Sequence, residues 1–204
     1  MIRQAGFSLV LASNNSGKLR EIGALLEPLG WEVHPQSEWD FEEAVEDGKT
    51  FVENALIKAR HAAQRTGLPS LGDDSGLLVD ALDGRPGLRS ARYADGQGSE
   101  ANIAKLLGEL EGVPNEQRTA HFYCVMVLLR SADDPAPLVS NGHWPGRITT
   151  APRGQDGFGY DPVFHIPDRD ATAAELPPPI KNVISHRGQA LASMIRMLKQ
   201  EFPA

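Results

Sequence analysis

The chain has 204 residues, of which 41% are hydrophobic and 23% are charged, a composition typical of one globular domain with a substantial core. Its formal net charge of -7 argues against bulk binding to nucleic acid or to an anionic membrane. An anionic ligand would need a local cluster of Lys and Arg, which favours a small-molecule site.

Cysteine content and hydropathy indicate a soluble protein of the cytoplasm. The single cysteine, Cys124, cannot form an internal disulfide and lies in an apolar run, so we interpret it as a small buried hydrophobe. The first apolar run, Phe7 to Ala12, is too short for a signal-peptide core, and no stretch approaches membrane-spanning length. We expect a single domain over residues 1–204.

The N-terminal region predicts a strand and a helix joined by a polar loop. Phe7 to Ala12 is the strand, and a helical pattern runs from Leu19 to Leu29 before Gly30. Backbone N–H groups and the helix dipole at such a junction favour a phosphate. An Asx-rich helix cap without a ligand is the alternative. The loop consists of Ser13, Asn14, Asn15, Ser16, Gly17 and Lys18.

This loop is not a P-loop. Ala12 occupies the place of the first glycine, and Leu19 follows the lysine where a Ser or Thr would bind Mg²⁺. A phosphate-binding loop therefore survives as a hypothesis, with the Lys18 ammonium within reach of the same anion.

The next stretch predicts a strand, an acidic segment and a helix. Trp31 to His34 is a possible strand, and Glu38 to Asp47 is acidic. Thr50 and Glu53 have the spacing of a capping box, which opens a helix that ends before Gly67. Asn54 and Lys58 share one face of that helix. Glu46, in the acidic segment, gains interest only if a metal site lies nearby.

Two adjacent carboxylates form the most unusual stretch. Asp73, Asp74 and Ser75 lie between Gly72 and Gly76, directly after a short apolar run. Because glycine permits unusual backbone angles, we predict a tight turn at the end of a strand. Carboxylates held there could bind Mg²⁺, or one could take a proton from water. A solvated acidic turn is the plainer alternative.

The second half alternates helical and strand patterns. Ile103 to Leu110 predicts a helix, and every residue from Phe122 to Leu129 is apolar, as in a strand at the centre of a sheet. Leu138 to Ile148 predicts another strand region. This alternation predicts an α/β domain, in which the loops after strands carry the ligand site.

Two further segments carry candidate binding groups. Glycines flank Phe158, which frees its ring to stack on a planar ligand, although a core position is the alternative. Lys181, His186 and Arg187 are donors suited to carbonyl or phosphate oxygens, near a terminal helix that Ser185 can cap. A solvated basic helix start is the alternative.

Taken together, these stretches resemble the inosine triphosphate pyrophosphatase family. Six motifs occur in the family's order and span almost the whole chain, which makes the resemblance specific. They are Ser13–Lys18, Thr50–Ala55, Gly72–Leu77, Ser90–Tyr93, Gly157–Pro162 and Ser185–Gly188.

The resemblance implies an α/β fold with a long central mixed sheet flanked by helices, two lobes, a deep active-site cleft and a homodimer. It implies Mg²⁺-dependent hydrolysis of ITP, dITP and XTP to the monophosphate and pyrophosphate. Related enzymes of similar fold that act on modified pyrimidine or methylated nucleotides, and non-catalytic nucleotide-binding proteins, are the rival interpretations.

The resemblance also assigns residues. Asp74 would be the general base and a metal ligand, and Glu46 would assist at the metal. Ser13 to Lys18, with Lys58, would hold the phosphates, and Ser75 would contact the substrate. Pro177 to Pro179 depart from the acidic residues usual before Lys181. The base pocket would consist of Phe158, Gly159, Tyr160, Asp161, Lys181, His186 and Arg187.

Overall fold

The computed structural model describes residues 8–26 and 30–201, without the side chain of Leu25. The strands are β1 (Ser8–Leu11), β2 (Glu32–Pro35), β3 (Ser70–Val79), β4 (Thr119–Leu129), β5 (Leu138–Ile148), β6 (Phe164–Ile166) and β7 (Ala171–Thr172). The helices are α1 (Ser16–Leu26), α2 (Phe51–Thr66), α3 (Ser99–Glu109), α4 (Pro178–Ile184) and α5 (His186–Glu201).

The seven strands form one mixed sheet in the order β2-β1-β3-β4-β5-β6-β7. β1 pairs in parallel with β2 and β3, whereas β6 pairs antiparallel with β5 and β7. The predicted α/β class with a central mixed sheet is confirmed. β4 is the middle strand and is buried from Cys124 to Leu129, as its unbroken apolar run predicts.

Local signals located both ends of α2 and the start of α5. Thr50 caps α2 by accepting a hydrogen bond from the Glu53 backbone, and Gly67 ends the helix in the left-handed conformation with φ of 70°. α5 begins directly after Ser185, where its cap was predicted. α1 begins at Ser16, earlier than the apolar pattern from Leu19 indicated. The predicted positions Phe7 and Leu29 lie outside the described residues.

The chain divides into two compact units. Unit 1 comprises residues 1–74, 124–141 and 187–204, and unit 2 comprises residues 75–123 and 142–186. In unit 1, side chains of β1, β3 and β4 pack with those of α1 and α5. Unit 2 has its own core, built around Leu77, Phe122, Trp144 and Phe164. A single domain over residues 1–204 stays a prediction.

No helix within residues 8–26 and 30–201 is both long enough and apolar enough to cross a bilayer.

Candidate active site

The acidic stretch is part of a strand, so the predicted tight turn is wrong. β3 continues from Ser70 to Val79 without interruption through both carboxylates. Gly72 is needed for close packing, because a Cβ there would lie 2.2 Å from the Ala55 backbone oxygen and 2.8 Å from the Ala59 backbone nitrogen. The glycine thus lets α2 pack closely against the strand. Glycine is also typical of turns, so the local sequence does not tell the two uses apart.

The two adjacent carboxylates point to opposite faces of β3, because side chains alternate along a strand. Asp73 is fully buried on the face covered by α1 and α5. Its Oδ2 lies 3.0 Å from Lys18 Nζ and 3.5 Å from Arg187 Nε. Burial alone would raise its pKa, but Lys18, Arg187 and Lys58 outweigh that effect and lower the pKa to about 2. Asp73 is therefore ionised at neutral pH.

Asp74 points toward α2. Its Oδ1 lies 3.3 Å from Lys58 Nζ, and its Oδ2 accepts a hydrogen bond of 3.1 Å from Asn54 Nδ2. Burial raises the pKa of Asp74, and the attraction of Lys58 and Lys18 offsets this only in part. A raised pKa makes a carboxylate a better proton acceptor, which suits a general base.

The predicted phosphate loop combines an Asx cap with a helix N-terminus. Asn15 Oδ1 accepts a hydrogen bond of 3.1 Å from Lys18 N, and Ser13 Oγ accepts one of 3.2 Å from Asn15 N. Ser16, Gly17 and Lys18 form the first turn of α1. Asn14 Nδ2 donates to Glu43 Oε1 at 2.7 Å. The predicted loop, Ser13 to Lys18, therefore contains both a capped helix start and the Lys18 ammonium.

Glu46 and Asp74, the predicted metal ligands, share one cation. Lys58 Nζ lies 3.3 Å from Glu46 Oε2 and 3.3 Å from Asp74 Oδ1. Two carboxylates gathered around one positive charge fit Mg²⁺, which is usually held by one or two carboxylates together with water and phosphate oxygens. The part of the chain that the structure describes contains no group of three or more His, Cys, Asp or Glu side chains suited to a metal.

Asp161 organises the predicted base-binding residues of unit 2. Its Oδ2 lies 2.7 Å from Lys181 Nζ in a buried ion pair, and it accepts a hydrogen bond of 2.8 Å from Phe158 N. Lys181 Nζ also lies 5.1 Å from the centre of the Phe158 ring. A Cβ at Gly157 would lie 2.1 Å from Asp161 Oδ2, so this turn requires glycine. Phe158 is only half-buried, which disfavours the core alternative.

The remaining base-pocket candidates in unit 2 differ in what they contact. Tyr160 is buried, and its hydroxyl donates to the Ser90 carbonyl at 3.0 Å, which joins two of the six motifs. His186 stacks on Phe122, with ring centres 4.7 Å apart and planes 10° apart. Gly159 has φ of 64° between Phe158 and Tyr160. Ser75 follows Asp74 and is half-buried.

Arg187 belongs to the charge cluster of unit 1. Its guanidinium makes an ion pair with Glu21 as well as the contact with Asp73. Burial would lower the pKa of Arg187, but these carboxylates, Asp73 foremost, raise it instead. The guanidinium is therefore a permanent cation. Its assignment to the base pocket stays a prediction.

Sequence reasoning missed several residues that contact the candidate catalytic residues of unit 1 or the base-binding candidates of unit 2. Asn54 was noted for sharing a helix face with Lys58, Phe122 was noted only as the start of the apolar run to Leu129, and Glu21 was not singled out. Asp73 was not assigned a partner. The alternation of a continuous strand would have separated Asp73 from Asp74, but only if the stretch had been recognised as a strand.

Comparison with known proteins gives consistent matches along the chain. A family model described as the Ham1 family matches residues 9–197. A dITP/XTP pyrophosphatase of Vibrio cholerae is 52% identical over 194 residues, which cover 95% of this chain and 97% of that protein. The corresponding protein of Yersinia pseudotuberculosis is 54% identical over 192 residues, covering 94% and 98%.

Solved structures agree with the sequence matches. A HAM1 protein from Coxiella burnetii is 49% identical and superimposes with a TM-score of 0.88, covering 95% of this chain and 99% of that chain. The Ham1 protein of Staphylococcus aureus is 39% identical with a TM-score of 0.83, covering 96% and 100%. The resemblance noted in the sequence is confirmed, and this chain belongs to the Ham1 family.

Proposed function

We propose that this chain hydrolyses dITP, XTP and ITP to the nucleoside monophosphate and pyrophosphate. Its family membership and the names of its relatives support this activity. The observation that carries the proposal is the buried Asp74 carboxylate, held on one oxygen by Lys58 and on the other by Asn54. A general base needs a raised pKa and a fixed orientation, and Asp74 has both.

The phosphate chain would be held by residues of unit 1. Lys18 and Lys58 are cations beside the two carboxylates, and the first turn of α1 offers backbone N–H groups. These positive groups would stabilise the charge that develops on the leaving pyrophosphate. Asp74 would accept a proton from the water that attacks the α-phosphorus.

Mg²⁺ would be held by Asp74 and Glu46, whose carboxylates both contact the Lys58 ammonium. When bound, the ion supplies charge neutralisation at the phosphate oxygens. We expect EDTA to abolish turnover and excess Mg²⁺ to restore it.

Choice of base would depend on unit 2. Stacking on Phe158 gives affinity for any base, about 1–3 kcal/mol. Lys181, fixed by Asp161, and His186 carry nitrogens able to donate to the 6-oxo group of hypoxanthine or xanthine. The 6-amino group of adenine would leave such donors unpaired, and sites of this kind reject a mismatch by up to about 10⁴–10⁵-fold. The homodimer and the cytoplasmic location belong to the same proposal.

A substrate panel tests the activity. dITP, XTP, ITP, dATP and dGTP, together with methylated and halogenated pyrimidine triphosphates, would be incubated with Mg²⁺, and monophosphate, pyrophosphate and orthophosphate would be measured separately. We expect monophosphate and pyrophosphate in equal amounts from the first three substrates. Orthophosphate as the first product would contradict the proposal, and a preference for the pyrimidines would favour the rival substrate class. Tight binding without turnover would indicate a non-catalytic protein.

A further inference from the structure

One buried amide links the candidate base to residues 40–48, the part of the chain that carries Glu46 (the Glu46 segment). Asn54, on α2, is 2% exposed. Its Oδ1 accepts a hydrogen bond of 2.9 Å from Gly48 N, and its Nδ2 donates one of 3.1 Å to Asp74 Oδ2. A backbone N–H can only donate and a carboxylate can only accept, so the two partners together determine the orientation of the amide.

The contact with Gly48 is tight. A Cβ on Gly48 would lie 2.6 Å from Asn54 Oδ1 and 2.7 Å from the Glu53 Cβ. The backbone of the Glu46 segment therefore passes directly against the amide at Gly48, and only glycine leaves room for it. The close packing is a second, independent sign that the position of this segment depends on Asn54.

The Glu46 segment has no helix or strand of its own. Other tethers are the 2.7 Å contact of His61 Nε2 with the Glu42 carbonyl oxygen and the bond from Asn14 to Glu43. Both lie before Glu46 in the chain, whereas Gly48 lies after it. On that side Lys49 N also donates to Glu53 Oε2 at 2.8 Å, whereas the Asn54 amide joins Gly48 to Asp74 directly.

Asn54 and Lys58 divide the oxygens of Asp74 between them. Lys58 contacts Oδ1, and Asn54 contacts Oδ2. They lie four residues apart on α2, so both point from the same helix face. Lys58 also contacts Glu46. A neutral donor on Oδ2 fixes the second oxygen of the carboxylate with no added charge.

We propose that Asn54 is a positioning residue that sets the orientation of Asp74 and the location of the Glu46 segment together. This proposal rests on the proposed function, because it gives Asp74 and Glu46 their roles in the reaction. Loss of the amide would leave Asp74 in place but poorly oriented, and would release the segment at Gly48. Residues that orient ligands and bases in this way typically affect activity by about 10–100-fold.

The main test is Asn54→Leu, which keeps the size of the side chain and removes both hydrogen bonds. Its control is Ser140→Ala, which removes another buried hydrogen bond of unit 1, the 2.8 Å bond from Ser140 Oγ to the Ala190 carbonyl. With dITP we expect Asn54→Leu to lower kcat by about 10–100-fold while KM changes less than threefold. Ser140→Ala should lower Tm and keep kcat.

A second readout needs no substrate or metal. Hydrogen–deuterium exchange should speed up in the peptide containing Gly48 in Asn54→Leu, while the middle of β3 stays protected. Gly48→Ala, which crowds the amide, should cause the same change. The kcat losses of the two variants should not add in the double variant, because both break one contact.

Two outcomes would overturn the proposal. One is a folded Asn54→Leu protein with kcat within twofold of wild type, and the other is unchanged exchange at Gly48. If wild type leaves dITP, XTP and ITP intact, the proposed function fails instead, and the exchange experiment still decides whether Asn54 tethers the segment.

Discussion

Asp73 and Asp74 are the same residue type at adjacent positions, yet their surroundings shift their pKa values in opposite directions. On one face of β3, Lys18 and Arg187 surround Asp73 and lower its pKa to about 2. On the other face, burial dominates and raises the pKa of Asp74. The comparison shows how strand alternation assigns two tasks to neighbouring carboxylates: one holds cations in place, and the other is able to accept a proton.

The largest expected effect is the loss of kcat when Asp74, the proposed general base, is replaced. Asp74→Asn removes the proton acceptor, so kcat for dITP should fall by about 10²–10⁴-fold. Tm should change little, because Lys58 keeps its contact with Glu46 and the raised pKa of Asp74 means that its charge adds no net stability at neutral pH. Steady-state kinetics and a thermal melt measure both quantities. Near-normal turnover in the folded variant would show that Asp74 is not the base.

The second effect concerns stability at Asp73. Asp73→Asn leaves Lys18 and Arg187 beside a neutral amide, and breaking a buried ion pair typically costs about 3–5 kcal/mol. We expect urea unfolding to show a loss of this size, with a smaller kcat loss than in Asp74→Asn. Asp134→Asn is the control, because Asp134 is a buried carboxylate whose partner Arg130 has no assigned role in the reaction. It should lose stability and keep kcat. Equal kcat losses in Asp73→Asn and Asp74→Asn would contradict the assignment of a structural role to Asp73 and a catalytic role to Asp74.

The third effect is pH dependence. The folded pKa of Asp73 is about 2, below the unfolded value of about 3.9. The stability that Asp73 contributes is therefore fully present above about pH 4 and is lost as the pH falls toward 2. By linkage this amounts to about 2–3 kcal/mol. The free energy of unfolding, measured in urea from pH 6 to 2.5, should fall less steeply in Asp73→Asn. Parallel curves for the two proteins would contradict the pKa difference.

The smallest effect tests the cation on the Asp74 face. Lys58→Met removes a charged contact of the kind worth about 1.5–3 kcal/mol, so kcat/KM should fall by about 10–150-fold. Because Lys58 holds down the pKa of Asp74, the acid limb of the kcat/KM profile should move to higher pH. Lys105→Met, at a cation bound to Tyr93 in unit 2, is the control. An unmoved acid limb would mean that Lys58 does not act on the base.

Sequence patterns predicted the candidate residues better than their arrangement. The capped loop before α1, the cap at Thr50 and the central position of β4 follow from short-range spacing and unbroken apolar character. The stretch from Gly72 to Gly76 was misassigned because its composition is that of a turn. Gly72 allows α2 to pack closely against β3, which cannot be predicted from the local sequence.

The sequence by itself determined the chemical groups, the family and the caps of α2, since these depend on residue identity and on contacts within one turn. Only the tertiary structure decided which cation each carboxylate holds. Lys18, Asp73 and Arg187 lie on α1, β3 and α5, yet they are in contact. Asn54 on α2 bonds both to Gly48, before that helix, and to Asp74 on β3. A pKa depends on burial and on charges within a few ångströms, so its direction is set only when distant parts of the chain have packed together.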